Sequence, residues 1–345
     1  MSAAAVTLAV LTYDGRELLD ATLPSVLAQE YAGAVEVLVI DNGSRDGTAA
    51  HVRATWPQVR LLELADNIGV AAALNRGVAA CDSELVALLN NDVELAPGWL
   101  ATLAAALAAD PGAGSASGKL LRYHERELLD AAGDVLLRSA AVINRGAGEV
   151  DRGQYDRAEA VFGACAGAAL YRRAAFAAVG PFDETYFAYL EDVDWAMRAQ
   201  LAGLRARYEP AAVGFHMGGA TTRRRPGFYG RLQQRNQLLL VVKTFPAGTL
   251  ARHGWRIAAT QLVSLAASAR AGVLREHVGA WGEAARMLPA ALRRRRVLQR
   301  ARKVPVREVE ALMAAGVPAG MPVLMRVLFE IAPVAARRRA GLISG

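Results

Sequence analysis

Four short, mainly apolar runs at 6–11, 35–40, 59–64 and 85–89 alternate with helical stretches in the first quarter of the chain. Runs this short and this apolar suit strands buried on both faces, and helices between such strands imply a mostly parallel sheet with right-handed crossovers. The intervening helices are expected to end near Gln29 and to cover 48–55 and 70–80. Residues 112–160 carry a weaker pattern rich in Gly, which suggests a hairpin-bearing excursion beside the sheet. Helices are expected at 174–179 and 190–201, and a short strand at 213–215. Beyond about Phe245 the pattern is helical only. Leu274, Val278, Trp281, Ala285 and Leu288 recur there at helical spacing, and Pro289 is expected to end or kink that run.

Ligands of an open parallel sheet lie beyond the carboxyl ends of its strands. Polar residues fall at those ends here: Thr12, Tyr13 and Asp14; Asp41, Asn42, Gly43 and Ser44; Asp66, Asn67 and Gly69; then Asn90, Asn91 and Asp92. One such cluster is ordinary, because Asp and Asn favour turns and caps. Four in succession on one edge describe a polar cleft. No GxGxxG follows the first strand and no GxxxxGK[ST] occurs, which disfavours dinucleotide and P-loop chemistry.

Composition narrows the class further. With 345 residues, 53% hydrophobic and 21% charged, the chain can bury a large core. Cys81 and Cys165 are its two cysteines, too few for a disulfide scaffold and wrongly spaced for zinc, so a reducing cytoplasm is expected. Residues 1–12 lack the basic flank of a signal peptide. The run 257–269 is too short to span a bilayer, and 311–325 is broken by Gly and Pro. The net charge of +7 is carried almost entirely by arginine, clustered at 223–225, 293–296, 300–303 and 337–339. Such clusters suit anionic lipid or phosphate, or simply a solvated face. A nucleic-acid module is disfavoured, because the basic runs lack interleaved aromatics.

The motifs LTYDG (11–15), VIDNGSRDGT (39–48), DNIGVAAALNRG (66–77), LLNNDV (88–93), FGACAGAALYRR (162–173), GPFDETYFAYLEDVDWAMRAQLAG (180–203) and HMGGAT (216–221) together resemble glycosyltransferase family 2. The match is greatest with the bacterial rhamnosyltransferase-like members that build cell-surface polysaccharides. The resemblance implies a Rossmann-like GT-A α/β fold, a catalytic domain at 1–245 and a helical C-terminal region at 246–345. It implies an inverting, metal-dependent transfer from a dTDP- or UDP-sugar, with dTDP-rhamnose the first candidate. The acceptor would be a glycan hydroxyl, usually on a polyprenyl diphosphate.

Roles follow motif by motif. Thr12, Tyr13, Asp14, Asn67, Gly69, Asn75 and Asn91 fall at positions expected to bind the nucleotide sugar. Asp41 resembles the carboxylate that accepts the N3–H of uracil or thymine, with a turn role as the alternative. The triplet Asn90-Asn91-Asp92 resembles the family's DxD motif with Asn in the first place. Asp92 is then the expected ligand of Mg²⁺ or Mn²⁺, joined by His216. In Glu191-Asp192-Val193-Asp194, Asp192 is the expected base, Glu191 its orienting neighbour, and Asp194 a helix cap. Gly163, Ala164 and Gly167 resemble the floor beneath sugar and acceptor, and Tyr189 offers a stacking face. Arg231, Arg235 and Asn236 resemble a patch that approaches the diphosphate, against a reading as surface helix charges.

The C-terminal region has no catalytic signature. It suits contact with an anionic membrane surface at the inner face of the cell membrane, or a homodimer interface. A sugar nucleotidyltransferase lacks its Gly-rich basic loop here. A catalytically silent glycan- or lipid-binding protein on the same scaffold fits poorly with an intact Asp41, Asp92 and Asp192 set.

Overall fold

The computed structural model describes residues 3–165, 167–218 and 226–314. Expectations for the arginine clusters 223–225 and 337–339, for 315–325 and for 219–221 lie outside the described residues. The first part of the chain runs β1 (Val6–Thr12), α1 (Arg16–Leu27), β2 (Val35–Asp41), α2 (Thr48–Thr55), β3 (Arg60–Glu63), α3 (Val70–Ala79), β4 (Leu85–Asn90), β5 (Val93–Leu95) and α4 (Trp99–Ala109). Next come β6 (Ala113–Arg122), β7 (Leu129–Ala131), β8 (Asp134–Leu136), β9 (Val142–Asn144), β10 (Glu159–Val161), β11 (Ala168–Arg172) and α5 (Arg173–Val179). The remainder is α6 (Glu191–Leu201), β12 (Arg205–His216), α7 (Pro226–Thr244), α8 (Ala247–Arg270), α9 (Leu274–Ala301) and α10 (Val306–Ala311).

The central sheet has the order β10-β12-β6-β11-β4-β1-β2-β3, and β8 and β9 form a separate two-stranded sheet. The expected parallel core is present: β1 pairs in parallel with β2 and β4, and β2 with β3. Alternate side chains of each strand enter opposite layers. Val6, Leu8 and Val10 pack with Leu19 and Leu23 of α1 and Trp99 of α4, whereas Ala9 and Leu11 pack with Leu74 of α3 and Trp195 of α6. Burial of each such leucine or valine stabilises the fold by about 1.5–3 kcal/mol. The parallel register sets Thr12 beside Asp41, and Leu11 beside Asn90, so three polar clusters share one edge.

Three features differ from expectation. Residues 112–160 are no mere excursion, because β6 is a ten-residue strand inside the sheet, antiparallel to β11 and parallel to β12. The strand expected at 213–215 is the end of the twelve-residue β12. Of the two outcomes expected at Pro289, the helix end is not met: α9 runs through it, with Pro289 on the exposed side. The apolar stripe of α9 is turned outward at Leu274, Val278 and Leu288, as a surface contact requires, while its buried positions are His277, Ala280, Ala284 and Ala291.

The C-terminal helices are joined to the sheet domain by a shared core. Val193, Met197 and Leu201 of α6 meet Leu240, Val241 and Phe245 at the end of α7, Ile257 of α8, and Val309 of α10. Helix α7 therefore packs with the helical region although it precedes residue 245.

Candidate active site

At the nucleotide end the polar residues are tied to one another across the strand ends. Asp41 is buried, and one of its oxygens accepts from the Ser44 amide at 3.0 Å. Burial raises its pKa, partly offset by the Ser44 bonds. A turn role is thus present, alongside any contact to a base. Asp14 stands at a φ of 46° and accepts from the Arg45 amide, while its own amide donates to Ser44 Oγ. Asn67 Oδ1 accepts from Asn42 and from the Gly69 amide. Gly69 has a φ of 89°, and a Cβ there would meet the Phe187 carbonyl at 2.7 Å, so only glycine fits. Asn91 Nδ2 donates to Thr12 Oγ1 at 2.8 Å, closing this end against β1. Tyr13 is half-buried beside them.

The β5–β12 pairing sets His216 opposite Val93 and so brings it to Asp92. His216 Nε2 lies 3.3 Å from Asp92 Oδ1, and Nδ1 lies 2.8 Å from Asp130 Oδ2. Burial lowers the imidazole pKa, but Asp130 and Asp92 outweigh it and push it up to about 10. Asp92 offers the hard carboxylate oxygen that Mg²⁺ or Mn²⁺ favours, and His216, now in contact with it, would add a nitrogen donor on losing its proton. Asp130 is the carboxylate behind the histidine that orients such a ligand. It escaped the sequence reading because it lies 86 residues from its partner.

The acidic end is built at the start of α6. Asp192 lies in a cluster with Asp134 and Cys165, their ligand atoms within 4.8 Å of one another. Asp134 is buried, and burial followed by the charge of Asp192 holds its pKa well above the usual carboxylate range. It too was missed, since β8 is only three residues long. Its amide donates to the Gly163 carbonyl, and a Cβ on Gly163 would meet Ala196 at 2.9 Å. Ala164 is buried, and the Gly167 carbonyl accepts from the Asn90 amide. The strip of Gly163, Ala164, Cys165 and Gly167 therefore links the acidic end to the Asn90–Asp92 end.

Glu191 is buried with its Oε2 unpartnered, and burial, then the Asp192 charge, pushes its pKa up to about 8. Folding thus favours its neutral form, and that stability is present below the unfolded value of 4.5 and lost as pH rises through about 8. Glu191→Gln is expected to unfold at a higher temperature than the parent above pH 8, with the gap closing toward pH 4.5. Thermal melts across that range check it.

Asp194 is not a cap. It is fully buried, accepts from Tyr186 Oη, and pairs with Arg198 and Lys243. Lys243 of α7 also binds Asp183, which holds Arg294 of α9 as well. Lys243→Met would take from Asp194 and Asp183 the cation they share, leaving each one arginine, Arg198 and Arg294. The expected loss is about 1.5–3 kcal/mol of unfolding free energy, the worth of a hydrogen bond to a charged group, measurable by urea denaturation.

The segment before α6 is strained, with Phe187, Tyr189 and Leu190 at φ of 64°, 70° and 64°. Asn236 holds it by donating to the carbonyls of Tyr186, Ala188 and Tyr189. Arg235 donates to the carbonyls of Thr185 and Tyr186 and to Asn236, and Arg231 pairs with Glu283 of α9. The structure commits this patch to the loop and to α9. Asn75 is likewise bonded both ways to Phe182 and to Glu184. The Tyr189 ring packs edge-on against Tyr229 at 5.6 Å.

The small-residue strip thus runs from the acidic start of α6, at Asp134 and Asp192, to Asn90 at the end of β4. The family model described as glycosyl transferase family 2 matches residues 7–180, and the chain belongs to that family as a glycosyltransferase. It is 35% identical over 214 residues to the N-acetylglucosaminyl-diphospho-decaprenol L-rhamnosyltransferase of Mycobacterium tuberculosis, spanning 56% of this chain and 69% of that protein. A pre-mycofactocin glycosyltransferase of the same organism is 31% identical over 188 residues, 53% of this chain and 37% of its own. Among solved structures, GalNAc-T7 with UDP, GalNAc and Mn²⁺ superposes with a TM-score of 0.58 at 12% identity, covering 75% of this chain and 51% of that one. A mannosyltransferase of Pyrobaculum calidifontis with GDP-Man and Mn²⁺ gives 0.53 at 21% identity, over 89% and 86%. These two likenesses establish the fold.

Proposed function

We propose that this glycosyltransferase moves a sugar from a dTDP- or UDP-sugar to a hydroxyl of a polyprenyl-diphosphate-linked glycan, with inversion. The observation that carries the reading is that Gly163, Cys165 and Gly167 join the Asp134–Asp192 end to Asn90, two residues from the Asp92–His216 pair. The relative named as a rhamnosyltransferase acting on a decaprenol-linked N-acetylglucosamine supports rhamnose as the sugar and a lipid diphosphate as the anchor.

Asp41 accepts the N3–H of the pyrimidine base, and Thr12, Tyr13, Asp14, Asn67, Gly69 and Asn91 frame the nucleotide pocket. Asn75 and Arg235 act indirectly, by fixing the 182–189 segment against that pocket. Asp92 and His216 would hold Mg²⁺ or Mn²⁺, whose charge offsets that of the departing diphosphate. Asp192 removes the acceptor's hydroxyl proton as its oxygen attacks the anomeric carbon, and the single displacement inverts that centre. Glu191, kept neutral by burial, positions Asp192. Gly163, Ala164 and Gly167 allow close approach of the sugar, and Tyr189 flanks the acceptor.

Such an acceptor places the enzyme at the inner face of the cell membrane. Among the described residues no helix is long and apolar enough to cross it, so contact through the 246–345 region fits. The test is a panel of nucleotide sugars offered with a short-chain polyprenyl-diphosphate N-acetylglucosamine. Transfer from dTDP-rhamnose with an inverted anomeric centre is the expected outcome. A retained centre, or use of purine-linked donors alone, would overturn the reading.

A further inference from the structure

Helix α8 is amphipathic in reverse. Its buried side is Ile257, Thr260, Ser264 and Ser268, mostly small and polar. Its exposed side carries Trp255, Ala259, Leu262 and Ala266, at i, i+4, i+7 and i+11, with Val263 alongside. Trp255 is 66% exposed and Leu262 64%, far from the one-sided burial expected of a surface helix in water. A cation stands at the tryptophan: the Arg256 guanidinium lies 4.8 Å from its ring centroid, and Arg252 lies one turn earlier on the same helix. Glu310, paired with Arg252, is the acid among them. An aromatic and aliphatic ridge rimmed by arginine matches the boundary between anionic headgroups and acyl chains.

The arginine run 293–296 of α9, the more obvious lipid contact in the sequence, is partly spent inward. Arg294 binds Asp183, and Arg295 donates to the Val242 carbonyl. We propose that the outward face of α8, centred on Trp255 and Leu262 with Arg252 and Arg256 beside it, is the surface that docks on an anionic phospholipid bilayer. The proposal deepens the reading of a lipid-linked acceptor, and rests on it only for its purpose. Docking is measured without donor or acceptor, so it fails or stands apart from the chemistry.

The full-length protein is floated with phosphatidylcholine vesicles, with and without phosphatidylglycerol. The expected result is binding that requires phosphatidylglycerol and falls with salt, because headgroup attraction is screened over about 8 Å at physiological ionic strength. Trp255→Ser with Leu262→Ser, both at exposed positions, should weaken partitioning by about 10- to 100-fold. Arg256→Gln should weaken it by about fivefold, the equivalent of ~1 kcal/mol per surface arginine, and Arg252→Gln by less, because Glu310 already offsets that charge. Arg293→Gln with Arg296→Gln should leave it within about twofold. Transfer to a water-soluble acceptor analogue should survive the α8 changes. Three results would overturn the proposal. One is loss of binding on changing Arg293 and Arg296 but not α8. Another is self-association in solution that Trp255→Ser and Leu262→Ser abolish, with no vesicle binding, which assigns the face to a second copy. The third is a Trp255 already shielded from acrylamide in the vesicle-free parent, which assigns it to this chain's own C-terminal residues.

Discussion

Asp192→Asn is expected to lower sugar transfer by about 10²- to 10⁴-fold while leaving donor affinity near the parental value. The amide keeps the size of the carboxylate and can still accept from the Val193 amide, as Asp192 Oδ1 does at 2.8 Å. What it cannot do is take a proton. The same change should raise stability. Asp192 is a charge that penalises ionisation of both buried Glu191 and buried Asp134, so neutralising it relieves both. A variant that is slower yet harder to unfold is the signature of an acid cluster kept for chemistry rather than for the fold. Asp194→Asn should fail in the opposite sense. It leaves Arg198 and Lys243 facing a neutral group in the interior, so stability drops, and activity with it only as folded protein is lost. Steady-state rates, donor titrations and thermal melts on both variants separate the two. Near-parental turnover in Asp192→Asn would move the base elsewhere, with Glu191 and Asp134 as the groups at hand.

The parallel half of the sheet was legible because its strands are buried on both sides and so are apolar from end to end. Strand β6 was not, although it is equally central. Its opening run of Ala, Gly and Ser has little β character, and it is buried because α4, β11 and β12 crowd it: a Cβ on Gly118 would meet the Ala212 carbonyl at 1.8 Å. In β12, Pro210 falls where the register against β6 slips between Glu209 and Val213, and that irregularity hid the strand at Arg205–Glu209 before it. At the site, Asp41, Asp92 and Asp192 could be read because each sits at a strand end or helix start within a dense motif. Asp130 and Asp134 could not. They stand singly in a stretch of weak pattern, and acquire meaning only when folding brings His216 and Asp192 to them. Asp194 was visible but misassigned, because Lys243 is 49 residues away and no local pattern announces the pair.

Removal of divalent cation by EDTA is expected to abolish transfer, and Asp92→Asn to remove most of the cation-dependent part of donor affinity. The sequence supplies Asn90 where the family motif has its first Asp, and Asn91 is turned to Thr12. The charge available to a cation at this edge is therefore concentrated on Asp92, with His216 as the second donor. Losing that carboxylate leaves a neutral amide and an imidazole, a poor match for a hard cation that favours anionic oxygen. Asp130→Asn provides the finer test. Asp130 accepts from Nδ1 of His216, fixing the ring with Nε2 toward Asp92. Loss of such an orienting carboxylate typically costs about 10–100-fold in metal affinity. Asp130→Asn should accordingly need more Mg²⁺ or Mn²⁺ for half-maximal transfer, and recover much of the parental rate at saturation, whereas Asp92→Asn should not recover. Calorimetric titration of the nucleotide with and without Mn²⁺ reads the same difference without turnover. Full activity in EDTA would remove the metal role from Asp92 and His216 together. A cation requirement unchanged in Asp130→Asn would leave His216 outside the coordination sphere and Asp92 as the sole protein ligand.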